Sequence, residues 1–155
     1  MTGTVEKKLN ELGISLGSPT TPSANYVPFV RTGNWLMISG QICHGGDGKL
    51  VAKGRLGDGV SIEDGQKAAC ACAVNILGQV KAALGDLDKV VRVVRLGGFV
   101  NSAAGFVDGP KVMNVASDLM VAAFGEKGKH ARTTVGVAAL PSDAAIEVEG
   151  LFEVS

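Results

Sequence analysis

The sequence HARTTVGVAALP, residues 130–141, is followed within a few residues by IEVEG, residues 146–150, and both segments have the composition of β-strands. Side chains alternate between the two faces of a strand, so Arg132 shares a face with Thr134, and the two glutamates of the second segment also share a face. If these are adjacent antiparallel strands, the cation and a carboxylate meet on one surface. That surface could be a pocket, or it could hold an ordinary exposed ion pair, which contributes little stability.

The opposite faces of the two segments are apolar. Thr133, Val135 and Val137 form one of them, and Ile146 and Val148 form the other. An apolar face that alternates with a polar face is typical of a strand with one side against a hydrophobic core. We therefore expect both apolar faces to be core.

The composition limits the classes of function. At 155 residues and 15.8 kDa the chain is expected to form one domain, residues 1–155. The formal net charge is zero, and there are only five Phe, one Tyr and one Trp. Nucleic-acid-binding proteins usually carry basic patches and stacking aromatic side chains, so nucleic acid is not expected as a partner. A mean hydropathy of +0.25 is high for a small domain and predicts apolar surface buried between subunits.

Membrane, metal and cofactor sites are not indicated. The longest nearly apolar stretch, residues 68–77, is about half of a spanning length, and the N-terminal residues lack a signal-peptide core. Three cysteines, an odd number, fit a reducing compartment, so the sequence predicts a cytoplasmic protein. No second Cys or His cluster completes a metal site with Cys70 and Cys72, which we interpret as small buried side chains. No metal or organic cofactor is expected.

The order of secondary structure predicts the fold class. Gly33 marks a hairpin turn, and Gly85 and Gly125 mark the ends of two long helices. The predicted elements are a short helix at 5–12, a connector at 15–24, strands at 27–31 and 35–41, a helix at 61–84, a strand at 89–100, a helix at 108–124, and the two final strands. This order predicts an α+β sandwich with the helices on one side of a sheet and the other sheet face free.

Several motifs occur in an order that resembles one known family. The string ARTTVGVAALPSDAAIEVE at residues 131–149 resembles the C-terminal signature of the Rid family, the reactive intermediate deaminases, also called YjgF-like proteins or endoribonuclease L-PSP. NYV at residues 25–27 and GNWLMISGQ at residues 33–41 are similar to the family's first hairpin with its SGQ. VMN at residues 112–114 lies where the family has a helical VN.

The resemblance extends over residues 26–154. Residues 5–14 are similar to the N-terminal extension of a longer-chain branch of the family, so residues 1–24 are interpreted as an extension and connector. The resemblance implies a chorismate-mutase-like sandwich, with a mixed β-sheet and two long helices packed on one face. It also implies a homotrimer in which the sheets form a barrel with clefts between the subunits.

The resemblance assigns roles to two charged residues. Arg132 matches the family's carboxylate-binding arginine, and Glu147 matches the glutamate that positions water; these are the expected catalytic residues. A guanidinium group forms two charge-assisted hydrogen bonds with a planar carboxylate, which a lysine would not reproduce. A neighbouring carboxylate can orient or deprotonate a water molecule.

Other positions complete the expected pocket. Tyr26, Gly40 and Asn114 match substrate-binding positions of the family. Thr134 stands where the members best known for imine deamination have Cys, so we expect a different pocket shape and polarity. His130 precedes Arg132 by two residues and is expected on the same face, where it could lie at the pocket rim.

The resemblance implies hydrolysis of reactive 2-imino or enamino acids to 2-oxo acids and ammonia, at sites between subunits. A small carboxylate or imine is then the ligand, and a second copy of the chain is the protein partner. Two alternatives remain. The chain could be a non-catalytic trimer that senses small carboxylates through Arg132, or an endoribonuclease or translation inhibitor, against which the charge and aromatic content argue.

Overall fold

The computed structural model describes residues 3–155. Its helices and strands follow the predicted order, with one addition: a pair of very short strands between the hairpin and the first long helix. The elements are α1 (Thr4–Glu11), β1 (Phe29–Thr32), β2 (Trp35–Ile42), β3 (Arg55–Leu56), β4 (Gly59–Val60), α2 (Ile62–Leu84), β5 (Val90–Asn101), α3 (Gly109–Phe124), β6 (Ala131–Val137) and β7 (Ile146–Val154).

Five strands form one mixed sheet in the order β1-β2-β7-β5-β6. All neighbours in this sheet are antiparallel except β5 and β6, which are parallel and are connected through α3. The helices α2 and α3 pack against each other and against the sheet. The predicted α+β sandwich, with two long helices on one face of a mixed sheet, is therefore confirmed. We call the other face of the sheet the open face.

The helix α2 begins and ends at residues that the sequence marks. The Ser61 Oγ accepts a hydrogen bond from the Asp64 backbone N–H at 3.0 Å, and Gly85 follows the helix with a φ of 74°, a conformation that favours glycine. Small side chains on its sheet-facing side let it approach the strands closely, and the fully buried ones are Ala68, Ala69, Cys72 and Ala73. Neither α2 nor any other helix within residues 3–155 combines the length and apolarity needed to cross a membrane.

The alternation along β7 separates the two faces of the sheet. Every second residue faces the helices and is buried: Ile146, Val148, Gly150, Phe152 and Val154. The residues between them, which include Glu147 and Glu149, lie on the open face and are only half-buried. The prediction that Ile146 and Val148 belong to the core is confirmed.

The expectation that the last two strands are neighbours is wrong. β5 lies between them, and its Leu96 pairs with Arg132 on one side and with Gly150 on the other. Arg132 therefore lies on the helix-covered face, whereas Glu147 lies on the open face. The crossover through α3 places β6 beside β5 at the edge of the sheet. The chain then returns to the other side of β5, where β7 pairs with both β5 and β2. Arg132 and Glu147 consequently form no ion pair within one chain.

The expectation that Thr133, Val135 and Val137 form core is also wrong within one chain. Thr133 and Val135 are exposed and Val137 is half-buried, because Val135 pairs through Phe99 with Glu147 and so lies on the open face. Val135 is exposed by 44 %, and three other apolar side chains of this face are exposed as well: Met37 by 58 %, Val30 by 54 % and Trp35 by 48 %. The open face thus carries apolar side chains that the helices do not cover.

Hydrogen bonds from one carboxylate and one side-chain amide hold the N-terminal residues against the rest of the chain. The carboxylate of Asp88 accepts hydrogen bonds from the backbone N–H groups of Thr4 and Val5, both at 2.8 Å, and so caps α1. The buried Gln79 of α2 donates its Nε2 to the Thr20 carbonyl at 2.8 Å. This hydrogen bond holds the loop after α1 against α2 at Thr20. The loop extends the predicted connector by two residues, and we call residues 13–24 the connector from here on.

Candidate functional site

A cavity of about 230 Å³ lies where β2, β7 and the connector meet, and we call it the Glu147 pocket. Three of the site residues expected from the sequence line it, namely Tyr26, Gly40 and Glu147. Polar side chains complete most of the wall; Ser39 and Gln41 belong to the SGQ of the sequence motif, and the others are Thr20, Thr21, Ser23, His44 and Asn75. The pocket therefore has one carboxylate surrounded by hydroxyl, amide and imidazole groups.

The sheet is irregular where β2 borders this pocket. The register between β2 and β7 shifts between Ile38 and Gln41, as in a β-bulge, and Gly40 lies within the shift. A Cβ atom at Gly40 would collide with the Glu147 Oε1. Because glycine has no side chain, the carboxylate can lie directly over the strand backbone. Gly40, expected from the resemblance as a substrate-binding position, is thus a bulge glycine beneath the carboxylate.

Glu147 lies in surroundings that disfavour its charged form. Burial raises the pKa of its carboxyl group, and the neighbouring negative charge of Glu149 raises it further. Glu149 itself has a partner, since its Oε1 accepts from the Arg95 Nη1 at 3.0 Å. No ion pair of Glu147 occurs among the described residues. A carboxylate with a raised pKa and no cation beside it is a suitable proton acceptor.

Arg132 lies at the other edge of the sheet, where its guanidinium group is held by α3. Its Nη1 donates to the Asn114 Oδ1 and to the Ser117 Oγ, both at 3.1 Å, and its Nη2 donates to the Pro110 carbonyl at 3.5 Å. A guanidinium group has five N–H donors. Three of these donors are used by Asn114, Ser117 and Pro110, so within the described residues the Nε–H and one Nη2–H donate to no acceptor.

A hydrogen-bonded chain extends from Arg132 to His130. The Ser117 Oγ lies 2.9 Å from the His130 Nε2, and the His130 Nδ1 lies 2.6 Å from the Gly128 carbonyl oxygen. Because a carbonyl oxygen only accepts, the His130 Nδ1–H donates to Gly128. Ser117 thus fixes Arg132. The sequence contained a signal for Ser117, because it follows Asn114 by three residues and so lies on the same face of α3.

Thr134 lies beside this arginine and also faces α3. Its Oγ1 is buried without a hydrogen-bond partner among the described residues. The residue lines a cavity of about 280 Å³ at the start of α3, together with Ser102, Phe106 and Gly109. A buried hydroxyl group without a partner is costly unless a ligand or water satisfies it. The side chain that replaces the family's cysteine therefore offers an unused polar group next to Arg132.

The structure divides the expected site residues into two groups. Tyr26, Gly40 and Glu147 line the Glu147 pocket, near the β1-β2 edge and on the open side. Arg132, Asn114 and Thr134 form what we call the Arg132 cluster, at the β6 edge on the helix side. One chain therefore brings three of these residues together at each of two places, and does not bring the two groups together.

The two cysteines of α2 have different surroundings, because residues two apart in a helix point to different sides. Cys72 is fully buried and its Sγ lies 3.4 Å from the Ile146 carbonyl oxygen, whereas Cys70 is partly exposed on the outer side of α2. The interpretation as buried side chains is therefore confirmed for Cys72 and wrong for Cys70. Within residues 3–155 no group of three or more His, Cys, Asp or Glu side chains is arranged to hold a metal ion.

A mixed sheet in this strand order, with two long helices on one face, defines the chorismate-mutase-like class of α+β proteins. The chain belongs to the family described as "YjgF/chorismate mutase-like, putative endoribonuclease", whose model matches residues 6–153. The resemblance inferred from the sequence motifs is confirmed.

Several relatives are similar over nearly their whole length. Protein TCP17 of Trypanosoma cruzi is 46 % identical over 99 % of this chain and 96 % of its own. The crystal structure of Atu1372 from Agrobacterium tumefaciens, a protein of unknown function, has a TM-score of 0.92 at 46 % identity, covering 97 % of this chain and 92 % of that one. A "putative endoribonuclease" from Shewanella oneidensis MR-1 has a TM-score of 0.94 at 31 % identity, covering 98 % and 100 %.

Proteins of the Rid subgroup are similar at lower identity. RidA from an Antarctic Psychrobacter species has a TM-score of 0.62 at 26 % identity, covering 90 % of this chain and 96 % of that one. The difference in TM-score shows that the chain shares more of its backbone geometry with the Shewanella and Agrobacterium proteins than with this RidA.

Proposed function

We propose that the protein is a homotrimeric, cytoplasmic deaminase that hydrolyses 2-imino or enamino acids to 2-oxo acids and ammonia. The observation that carries the proposal is the guanidinium group of Arg132. Asn114 and Ser117 hold this group by Nη1, which leaves the Nε–H and one Nη2–H available to a ligand. Two parallel N–H donors match the two oxygens of a carboxylate. An imino acid bound there presents its C=N carbon at a fixed distance from Arg132.

The Glu147 carboxylate supplies the second requirement of the reaction, an oriented water. The water oxygen adds to the imine carbon while Glu147 accepts a proton from the water and returns it to the nitrogen, which gives a tetrahedral intermediate with one hydroxyl and one amino group. Glu147 then transfers the hydroxyl proton to the amino nitrogen, the C–N bond breaks, ammonia leaves, and the carbonyl of the 2-oxo acid forms. Imines hydrolyse readily, so positioning and proton transfer account for the catalysis without a metal or organic cofactor.

The two groups of site residues come together if copies of the chain associate edge to edge. The sheet has two edges, β1 and β6. The Glu147 pocket lies towards the β1 edge, and the Arg132 cluster lies at the β6 edge. A closed ring of identical copies brings the β6 edge of one copy to the β1-β2 edge of the next. Each interface then holds one Arg132 cluster and one Glu147 pocket, and the apolar open face is buried within the ring.

The charge of the pocket favours this reaction over RNA cleavage. No Lys or Arg side chain lines the Glu147 pocket, and its charged group is a carboxylate. A phosphodiester would be repelled there, because phosphate sites in proteins are positively charged. A carboxylate-binding sensor would need the Arg132 cluster but not Glu147, so the catalytic role of Glu147 distinguishes a deaminase from a sensor.

The direct test of the proposal generates the unstable substrate in the assay. An amino-acid oxidase converts an amino acid to its 2-imino acid, semicarbazide traps that imine, and the protein is added at increasing concentration. We expect the protein to lower the yield of the trapped imine adduct and to raise the rate of 2-oxo acid formation. Adduct yields that do not change at micromolar protein, over a panel of amino acids, would contradict the deaminase assignment.

The pH dependence of Glu147 provides a second prediction. Its pKa is raised in the folded protein, so the folded state holds this proton at higher pH than the unfolded chain does. The ionised group therefore lowers stability, and this loss appears as the pH rises through the raised pKa. Glu147→Gln removes the charge. We expect its Tm to exceed that of the wild type at pH 7 and to approach it at pH 4.

The same substitution separates stability from activity. Glu147→Gln is expected to lower kcat/KM by about 100-fold or more, the usual contribution of a general base. The wild-type kcat/KM should fall as the pH decreases through the raised pKa of Glu147, because the protonated form accepts no proton. A Glu147→Gln protein with a wild-type rate would exclude proton transfer by this residue.

A further inference from the structure

A third cavity, of about 680 Å³, lies between the connector and α2, and the proposed reaction makes no use of it. We call it the connector groove. Its volume is about three times that of the Glu147 pocket, and it is within the usual size of a small-molecule site. The connector forms one wall and the outer side of α2 forms the other.

The connector groove and the Glu147 pocket meet at a shared boundary. Four residues line both cavities: Thr20, Gln41, His44 and Asn75. The boundary is well ordered by hydrogen bonds, since the Asn75 Nδ2 donates to the Ile42 and His44 carbonyls at 3.2 and 2.9 Å. The Thr20 carbonyl is held by the buried Gln79. The two cavities therefore border each other along these four residues.

One part of the groove wall suits an apolar group, although polar side chains line the rest. Ile14 of the connector and Cys70, Ala71 and Val74 of α2 line it, all of them partly buried. Burial raises the pKa of the Cys70 thiol, so this side chain is neutral and behaves as a small apolar group. Lys67 is the one Lys or Arg of the lining; it is largely exposed and pairs with Asp64 at 3.4 Å, so it does not require an anionic ligand.

We propose that the connector groove binds the side chain of the substrate, and that the enzyme prefers 2-imino acids with extended apolar side chains of four or more carbons. The inference rests on the proposed deaminase function. The polar head of such a molecule lies between Glu147 and Arg132, and its side chain passes the shared boundary to reach Ala71 and Val74. Ile14, Ala71 and Val74 are therefore specificity-determining residues, and the connector is part of the substrate-binding site.

Two imines of different length test this assignment. An amino-acid oxidase generates the imine of norleucine, with a four-carbon side chain, and that of alanine, with a methyl group. Each additional buried methylene contributes about fourfold to binding, so we expect the wild type to prefer the norleucine imine by at least about tenfold in kcat/KM. Equal kcat/KM values for the two substrates would overturn the inference.

A pair of matched variants locates the preference in the groove. Ala71→Phe fills the groove, whereas Ala82→Phe places the same side chain at an exposed position of the same helix that lines no described cavity. We expect Ala71→Phe to lose at least about tenfold in kcat/KM for the norleucine imine and to change the alanine imine by less than about twofold. An equal effect on both substrates, or the same result for Ala82→Phe, would place the preference elsewhere.

A binding measurement keeps this inference separate from the deaminase proposal. Titration calorimetry with 2-oxohexanoate and with pyruvate compares the two side-chain lengths without any turnover. If the wild type hydrolyses no imine but still binds 2-oxohexanoate more tightly, in a manner that Ala71→Phe abolishes, the deaminase proposal fails and the groove assignment stands. If imines are hydrolysed and the two oxo acids bind equally well, the groove assignment fails alone.

Discussion

Equal amounts of Arg132→Ala and Glu147→Ala chains, each inactive alone, are expected to regain about one quarter of the wild-type activity when they are unfolded and refolded together. The Arg132→Ala chain has a defective Arg132 cluster and an intact Glu147 pocket, and the Glu147→Ala chain has the reverse. In a randomly mixed ring, about one interface in four joins an intact Arg132 cluster to an intact Glu147 pocket. The measurement is 2-oxo acid formation from oxidase-generated imine, before and after co-refolding.

The result depends on the strand order, in which β5 separates Arg132 from Glu147. A site built from one chain would give no recovery, because every chain in the mixture lacks one group. Arg132→Lys supplies the control for the arginine itself. A lysine keeps the charge but cannot donate two parallel hydrogen bonds, so this variant should recover little activity alone. Restoration of full activity by lysine would indicate that Arg132 acts only as a charge.

Met37→Glu is expected to prevent assembly and to abolish activity together. Met37 is the most exposed of the apolar side chains that we assign to the open face, at 58 %, and its partner in β7 is Leu151. In the proposed ring it becomes buried, and an unpaired buried carboxylate costs about 3–5 kcal/mol or more. Sedimentation velocity at micromolar concentration should show a monomer in place of a trimer, and the imine assay should show no catalysis.

Leu12→Glu is the matched control for this experiment. Leu12 is exposed to a similar degree, 53 %, but it lies at the end of α1, away from the sheet. We expect this variant to remain trimeric and active, because the same carboxylate stays in water. A trimeric and active Met37→Glu protein would show that the open face is not the contact between subunits.

The local signals of the sequence were sufficient for the individual elements. Ser61, Gly85 and Gly33 mark a helix cap, a helix end and a hairpin turn, and the structure contains each of them at the expected position. Such features depend on residues close together in the chain. The same holds for the core side of β7, where Ile146 and Val148 alternate with glutamates within five residues.

The non-local arrangement was not accessible from the same signals. Alternation predicted correctly that Arg132 and Thr134 share a face, but it cannot tell which face is covered. The two candidate faces of β6 are similar in polarity, because the outer one carries Thr133 and Val135. Their apolar character is consistent with a contact between subunits, and a single-chain prediction interprets such a surface as core. Strand order was missed for a similar reason, since adjacency in the chain was taken for adjacency in the sheet.

The site residues illustrate the same limit. Motif resemblance pointed to Arg132 and Glu147, which carry charge, and missed Ser117, whose role is to hold the arginine at 3.1 Å. Thr20 and Asn75 were missed because they reach the Glu147 pocket from the connector and from α2. Positions that act through a contact to a distant element become visible only when the elements are assembled.

The central position of β7 has a consequence for how the chain folds during synthesis. β2 ends at Ile42, yet its partner begins at Ile146, about a hundred residues later. A ribosome has therefore produced both long helices and four of the five sheet strands before the strand that joins β2 to β5 exists. Until then β2 has an unpaired edge and uncovered apolar side chains, which favours aggregation or chaperone binding. We expect the nascent chain to remain sensitive to protease until β7 has emerged.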